Sequence, residues 1–191
     1  MPPTTALLVV DMQNATVAMA HRAAGTVAAI AGLSERARAA GVPVVTVRQQ
    51  DAGMVPGSEG WRVVPELAPR EGEPVVDKTT PDSFLGTDLD AVLAARGVTE
   101  VIVTGFATEV CVDTTARQAL SRGYDLVVVA DGHTTSVRTA ADTDLVPADR
   151  SIAQYNAVYR TIGWPGRRIR VRAAADVDFG APEGARDLRP A

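Results

Sequence analysis

Gly97-Val98-Thr99-Glu100-Val101-Ile102-Val103-Thr104 decides the architecture of this chain. A glycine just past a helical stretch closes the last turn in the left-handed region, and a β-branched apolar run follows within a few residues. The same exit recurs at Gly41-Val42-Pro43-Val44-Val45 and Gly123-Tyr124-Asp125-Leu126-Val127, and Gly163 ends a further helical stretch. Working outward, the strand-like runs are Ala6–Val10, Pro43–Val47, Pro74–Val76, Val101–Thr104, Asp125–Ala130 and Ile169–Arg172. All but the last are continuously apolar, the pattern of strands buried on both faces of a parallel sheet. Helical stretches at about Gly25–Ala40, Leu85–Arg96, Glu109–Arg122 and Ala148–Ile162 lie between them. This alternation predicts right-handed crossovers and a three-layer α/β/α sandwich with a six-stranded, mostly parallel open sheet.

The 191 residues suit one domain, read as 1–172 with a C-terminal extension at 173–191 that is a tail or an arm lying on a neighbouring subunit. Hydrophobic residues make up 46% and charged ones 22%, a globular balance that excludes wholesale disorder. No apolar run approaches the roughly 20 residues that span a bilayer, so no membrane is expected as a partner. The first apolar run has no basic region ahead of it and stops at Asp11, unlike a secretory signal. Nineteen basic residues against 23 acidic ones give a net charge of −4, which offers nucleic acid no basic surface. Arg167, Arg168, Arg170 and Arg172 read as a solvated strand edge rather than a phosphate patch. The single cysteine, Cys111, excludes an intrachain disulfide and suits a reducing cytoplasm. His21, His133 and Cys111 match no zinc or haem spacing, and no glycine-rich nucleotide fingerprint follows any strand, so neither metal nor cofactor is expected.

In open parallel sheets, ligands bind beyond the carboxyl ends of the strands. Those ends deliver Asp11, then Arg48 and Gln49, then Asp77 and Lys78, then Gly105-Phe106-Ala107-Thr108, then Asp131-Gly132-His133. Cys111 follows the fourth strand at the start of a helix. Alone it reads as a small inert hydrophobe, Asp11 as a cap, and Lys78 as a surface charge or a partner of Asp77. Together they suit nucleophilic catalysis: helix-terminal amides and an ammonium favour a thiolate, and an aspartate can take the thiol proton. On this reading the sulfur is an anion held ready.

Leu7-Leu8-Val9-Val10-Asp11-Met12-Gln13-Asn14, Lys78 ahead of Ser83-Phe84, and Thr104-Gly105-Phe106-Ala107-Thr108-Glu109-Val110-Cys111-Val112 resemble the isochorismatase-like cysteine hydrolase superfamily, over roughly residues 5–165. The resemblance implies Cys111 as nucleophile, Asp11 as general base and Lys78 as the orienting cation. It also implies a cis peptide at Phe106–Ala107, with the N–H groups of Ala107 and Cys111 forming an oxyanion hole. The implied reaction is acyl transfer through a thioester to water, with ammonia or an amine leaving, and the implied assembly is a homo-oligomer.

The nicotinamidase branch carries an Asp-x-His metal motif after strand two, where this chain reads Arg48-Gln49-Gln50-Asp51. Metal-independent cleavage of a C–N bond in a small-molecule amide substrate of carbamoyl, ureido or lactam type is therefore expected. A vinyl-ether hydrolase and a non-catalytic binding member of the fold are the alternatives. Candidate substrate-binding residues are Gln13, Arg48, Gln49, Trp61, Phe84, Thr108 and His133. Of these, Arg48 either offers its planar fork to a carboxylate or pairs with an acid such as Asp51. Phe84 is a pocket wall or core, and His133 a pocket-mouth residue or a turn cap. The segment Gln49–Glu73 shows no secondary-structure pattern, and Trp61 at its middle either caps a pocket or packs on the sheet edge.

Overall fold

Every strand pairing is parallel in the computed structural model, which describes residues 4–139, 141–142 and 144–179. β1 (Thr5–Val10) lies between β2 (Val44–Gln49) and β4 (Glu100–Phe106); β3 (Val75–Lys78) forms one edge, and β5 (Asp125–Thr134) and β6 (Ile169–Arg172) complete the other side. The order β3-β2-β1-β4-β5-β6 reverses between β1 and β4, so a crevice opens beyond the carboxyl ends of those two strands. All six strand-like runs of the sequence are strands; β6 keeps its bounds, and the others gain mostly polar residues at their ends, such as Arg48-Gln49 and Asp77-Lys78.

Period-two alternation divides the core. Ala6, Leu8, Val10, Val45, Val47 and Val76 face α3 (Leu89–Ala94), α4 (Asp113–Ser121) and α5 (Ala148–Thr161). Leu7, Val9 and Val44 face α2 (Ala23–Ala39), whose Val27, Ile30, Leu33 and Ala37 supply one apolar stripe at helical spacing. The sandwich thus has three layers, and the central strands are apolar throughout because both of their faces are covered.

The ends differ from the sequence reading in instructive ways. A short helix, α1 (Asn14–Ala18), follows β1 directly. α3 starts at Leu89 rather than Leu85, because Gly86 takes φ +69°, Phe84 N–H bonds to Asp82 Oδ1 at 2.8 Å and Thr87 Oγ1 bonds back to Ser83 O at 2.7 Å. Within Gln49–Glu73, Pro65–Leu67 form a single 3₁₀ turn, Val63 bridges Gln13, and Val64 and Leu67 are buried against α2. Residues 173–179 fold onto their own domain: Ala174 and Val177 are buried in the α2 layer, and the Arg36 guanidinium donates to both of their carbonyls. The remainder of the proposed extension, 180–191, lies outside the described residues. On the β6 edge Arg170 pairs with Glu100, Arg168 with Asp125, and Arg167 with the Gly123 carbonyl, so three of the four clustered arginines are committed within the fold. Among the described residues no helix is long and apolar enough to cross a membrane.

Candidate active site

Register brings the strand ends level: Val10 pairs with Val47 and with Gly105, and Gln49 pairs with Lys78. Asp11, one residue past β1, takes φ +53° and turns the chain out of the sheet. Left-handed backbone at a non-glycine residue costs on the order of 1 kcal/mol. Here it is held by Asp11 N–H to Val47 O at 2.8 Å and by the Thr16 hydroxyl donating to Asp11 O at 2.5 Å. Gly105 makes the other close approach. Its φ is +124°, and a Cβ there would lie 2.0 Å from Val10 O, so only glycine lets β4 run against the residue that precedes Asp11. Past Gly105 the Phe106–Ala107 peptide is cis, as the family resemblance implies. Thr108–Val112 then form a π-helical turn, closed by Val112 N–H to Ala107 O at 3.1 Å, before α4 begins. Cys111 sits in that turn, a feature common at functional sites.

The three residues meet. Lys78 Nζ lies 2.7 Å from Asp11 Oδ2 and 3.4 Å from Cys111 Sγ, with both the lysine and the aspartate buried. Asp11 Oδ1 is also buried and has no close hydrogen-bond partner among the described residues, while the Cys111 thiol and the Gln49 backbone N–H are near enough to the carboxylate to favour its charged form. Burial raises the Asp11 pKa, while the charge and hydrogen bond of Lys78 pull it back down. Burial also dominates at Cys111; with the Asp11 carboxylate it pushes the thiol up to about 12 against the opposing pull of Lys78. Both of these influences run against the expected sulfur anion, and Lys78 favours it. One ammonium faces two acidic groups, and burial works against ionising both.

Gln13 and Gln49 join this cluster. Gln49 Oε1 accepts from Lys78 Nζ at 2.7 Å. Gln13 is fully buried, with its amide engaged by the backbone of Gln49 and Trp61. The remaining sequence candidates are committed elsewhere. Arg48 pairs in bidentate fashion with Asp77, at 2.7 and 2.9 Å, rather than with Asp51, and stacks 3.9 Å from the Trp61 ring centroid. Alternation puts Arg48 and Asp77 on the opposite sheet face from Gln49 and Lys78, so Trp61 packs on the α2 side of β2. Phe84 is core, stacked on Tyr124 with centroids 6.0 Å apart. Thr108 Oγ1 lies 2.8 Å from His133 Nδ1, and His133 Nε2 lies 3.1 Å from Asn156 Oδ1. Because Asn156 Nδ2 donates to Ala130 O at 3.0 Å, its Oδ1 must accept from His133 Nε2–H, which leaves Nδ1 to accept the Thr108 hydroxyl. Burial holds the His133 pKa below its ordinary value, and the ring links Thr108 of the π turn to Asn156 of α5. His133 also lines a cavity of about 310 Å³ between the start of α2 and the end of β5, whose walls include none of Asp11, Lys78 and Cys111.

Sequence reasoning missed the supports of the π turn. Glu109 Oε1 accepts from the Thr135 hydroxyl at 2.6 Å and from Arg138, and Oε2 accepts from Ser151 Oγ at 3.2 Å. Thr115 Oγ1 lies 2.7 Å from Ser83 Oγ, tying the segment after Lys78 to α4. Only the position of Glu109 two residues before Cys111 signalled such a role.

The switch point of an all-parallel sheet thus gathers an aspartate, a lysine and a cysteine. The chain belongs to the isochorismatase family, whose isochorismatase domain matches residues 5–158. Over 154 residues, 76% of the chain, it is 43% identical to a streptothricin hydrolase of Streptomyces noursei, and it spans about half (56%) of that protein's length. It is 34% identical over 175 residues to YddQ, an uncharacterized isochorismatase family protein of Bacillus subtilis, covering 83% of this chain and 95% of that one. With the ureidoacrylate amidohydrolase RutB of Variovorax paradoxus it shares 36% identity over 169 residues, 66% of this chain and 67% of the relative. Among solved structures, an isochorismatase from Pseudomonas putida superposes with a TM-score of 0.81 at 28% identity, covering 93% of this chain and 94% of that chain. A cysteine hydrolase from Pseudomonas syringae gives 0.80 at 27% identity, covering 90% and 89%.

Proposed function

We propose that the chain hydrolyses a C–N bond of a small polar amide, of carbamoyl, ureido or lactam type, with Cys111 as nucleophile, Asp11 as base and Lys78 as orienting cation. The observation that carries the reading is the division of labour at Asp11: Oδ2 is held by Lys78 at 2.7 Å, while Oδ1 is buried, has no close hydrogen-bond partner among the described residues and is free to take a proton. Because burial and Asp11 both favour the thiol over the thiolate, attack and deprotonation go together. Sγ bonds to the amide carbon as the thiol proton passes to Asp11, and the carbonyl oxygen becomes an oxyanion received by the Ala107 and Cys111 N–H groups. Asp11 then gives that proton to the leaving nitrogen, the C–N bond breaks, and ammonia or an amine departs from a thioester. Water adds to the thioester with its proton passing to Asp11; the acid leaves, and sulfur regains its proton. Lys78 steadies whichever of carboxylate or thiolate is negative.

Two relatives, one named for streptothricin and one for ureidoacrylate, support a C–N substrate. No metal enters the scheme. The side chains at the place of the nicotinamidase motif are otherwise engaged: Arg48 by Asp77, Gln49 by Lys78, and Asp51 by the N–H groups of Gly53 and Met54. An ammonia-release screen over carbamoyl, ureido, lactam and aromatic amides, with Cys111→Ala as blank, tests the proposal. Ammonia from at least one class, absent from the blank, is expected. Release of pyruvate from a vinyl ether without ammonia from any amide would replace this reading with the ether-cleaving alternative.

A further inference from the structure

The Lys78 ammonium has three N–H bonds and three acceptors: Asp11 Oδ2 at 2.7 Å, Cys111 Sγ at 3.4 Å and Gln49 Oε1 at 2.7 Å. Two of those acceptors take part in the proposed chemistry. The third is a neutral amide carbonyl that bonds to neither reacting group. We infer that Gln49 and, behind it, Gln13 are positioning residues that aim Lys78 at Asp11 and Cys111. The inference rests on the reading of Cys111 as nucleophile.

Topology explains why aiming is needed. Lys78 ends β3 and Asp11 follows β1, with β2 between them. Neighbouring strands are about 4.8 Å apart, so the lysine side chain must lean over the end of β2 to reach a backbone roughly 10 Å away. The residue it crosses is Gln49, its register partner. A flexible four-carbon stem with three rotatable donors has no preferred aim of its own. Gln49 Oε1 takes one donor, and the tetrahedral ammonium then presents the other two at fixed angles. Its amide is turned to do so, with Nε2 directed at Asp51 Oδ2, 3.3 Å away.

Gln49 is in turn clamped at its backbone. Gln13 Oε1 accepts the Gln49 N–H at 2.9 Å, while Gln13 Nε2 donates to Gln49 O at 2.9 Å and to Trp61 O at 2.9 Å. A primary amide accepts and donates from one planar head; a glutamate of the same length loses both donors. Gln13 lies two residues beyond Asp11, so the segment that carries the base also locks the residue that orients the cation. Neutrality matters as much as reach. A carboxylate at position 49 would set a further negative charge against the one ammonium and oppose the thiolate.

The test uses the thiol rather than a substrate. Alkylation of Cys111 by iodoacetamide, followed by intact mass from pH 7 to 10, reads the thiolate fraction that Lys78 stabilises. Gln49→Met and Gln13→Met are each expected to slow alkylation roughly tenfold at a given pH, the size of one hydrogen bond to a charged group. The double variant is expected to be no slower than the slower single, because both act through one contact. Gln49→Glu, which can still accept, is expected to slow alkylation too through its charge. If Gln13→Met fails to fold, Gln13→Glu and the two Gln49 variants decide the matter. A wild-type profile in Gln49→Met, additive losses in the double variant, or a lowered melting temperature with no change in profile would each overturn the inference. Failure to hydrolyse any amide would remove the proposed function and leave this thiol measurement standing.

Discussion

Lys78→Met keeps the aliphatic stem and removes the ammonium. In the intact site that ammonium lies 2.7 Å from Asp11 Oδ2, with the two side chains 0% and 2% exposed. Two unit charges at that distance attract by roughly 6 kcal/mol at an effective dielectric of about 20. Desolvation of both groups offsets part of this, and removing one partner of a buried pair typically costs about 3–5 kcal/mol. Asp11 has one escape, which is to take up a proton. Burial already raises its pKa and Lys78 is the main influence holding it down, so the variant's carboxyl titrates higher still. A carboxyl whose folded pKa lies above its unfolded value stabilises the fold below the unfolded pKa and loses that contribution as pH rises through the folded one. The loss in Lys78→Met should therefore be small near the ordinary carboxylate value of 3.8 and grow toward neutrality. Urea unfolding followed by circular dichroism at pH 5 and pH 8 is the assay. The expected result is a loss of about 3–5 kcal/mol at pH 8, a smaller one at pH 5, and recovery of most of it when Asp11→Asn is added. Equal losses at both pH values, or no rescue by the second change, would refute the electrostatic account.

Gly105→Ala sets a Cβ 2.0 Å from the Val10 carbonyl oxygen at φ +124°, so a loss above about 4 kcal/mol is expected in thermal unfolding; a melting point within a few degrees of the parent would contradict the close approach. In the parent protein, Cys111 alkylation should rise about tenfold per pH unit from 7 to 10 without levelling, because the thiol is pushed up to about 12; a plateau near pH 8 would show a lower value. Glu109→Gln removes the charge that holds Thr135, Arg138 and Ser151. It should cost about 1–3 kcal/mol and lower amide-exchange protection at Thr135–Arg138 and the first turn of α5; unchanged protection there would show the contacts to be incidental.

The strands were legible because both of their faces are covered, which leaves runs such as Leu7–Val10 and Val101–Val103 apolar without a break. What escaped were polar extensions that only tertiary contact defines. β5 continues through Asp131-Gly132-His133-Thr134 because His133 and Thr134 pair with Gly105 and Phe106 beyond a register shift. α1 is five residues long and has no period to read. The π turn was read as the start of an ordinary helix, since Thr108–Val112 carry no local signal for an i→i−5 bond. At the site, Asp11, Lys78 and Cys111 were legible as strand-end residues. The opposing pulls on the sulfur were not, because burial and the Asp11 carboxylate act on it only in the folded site. Nor could the sequence separate a glutamine that touches substrate from one such as Gln13, whose amide closes on a backbone 36 residues away.

The central claim is that an acyl group passes through Cys111. The most direct measurement is intact and peptide mass spectrometry of enzyme quenched in acid within milliseconds of mixing with a turned-over amide. The account predicts a mass increase equal to the acyl portion on the peptide containing Cys111, absent in Cys111→Ala, and appearing together with the first equivalent of ammonia. Undiminished turnover by Cys111→Ala, or the added mass on any other residue, would contradict it.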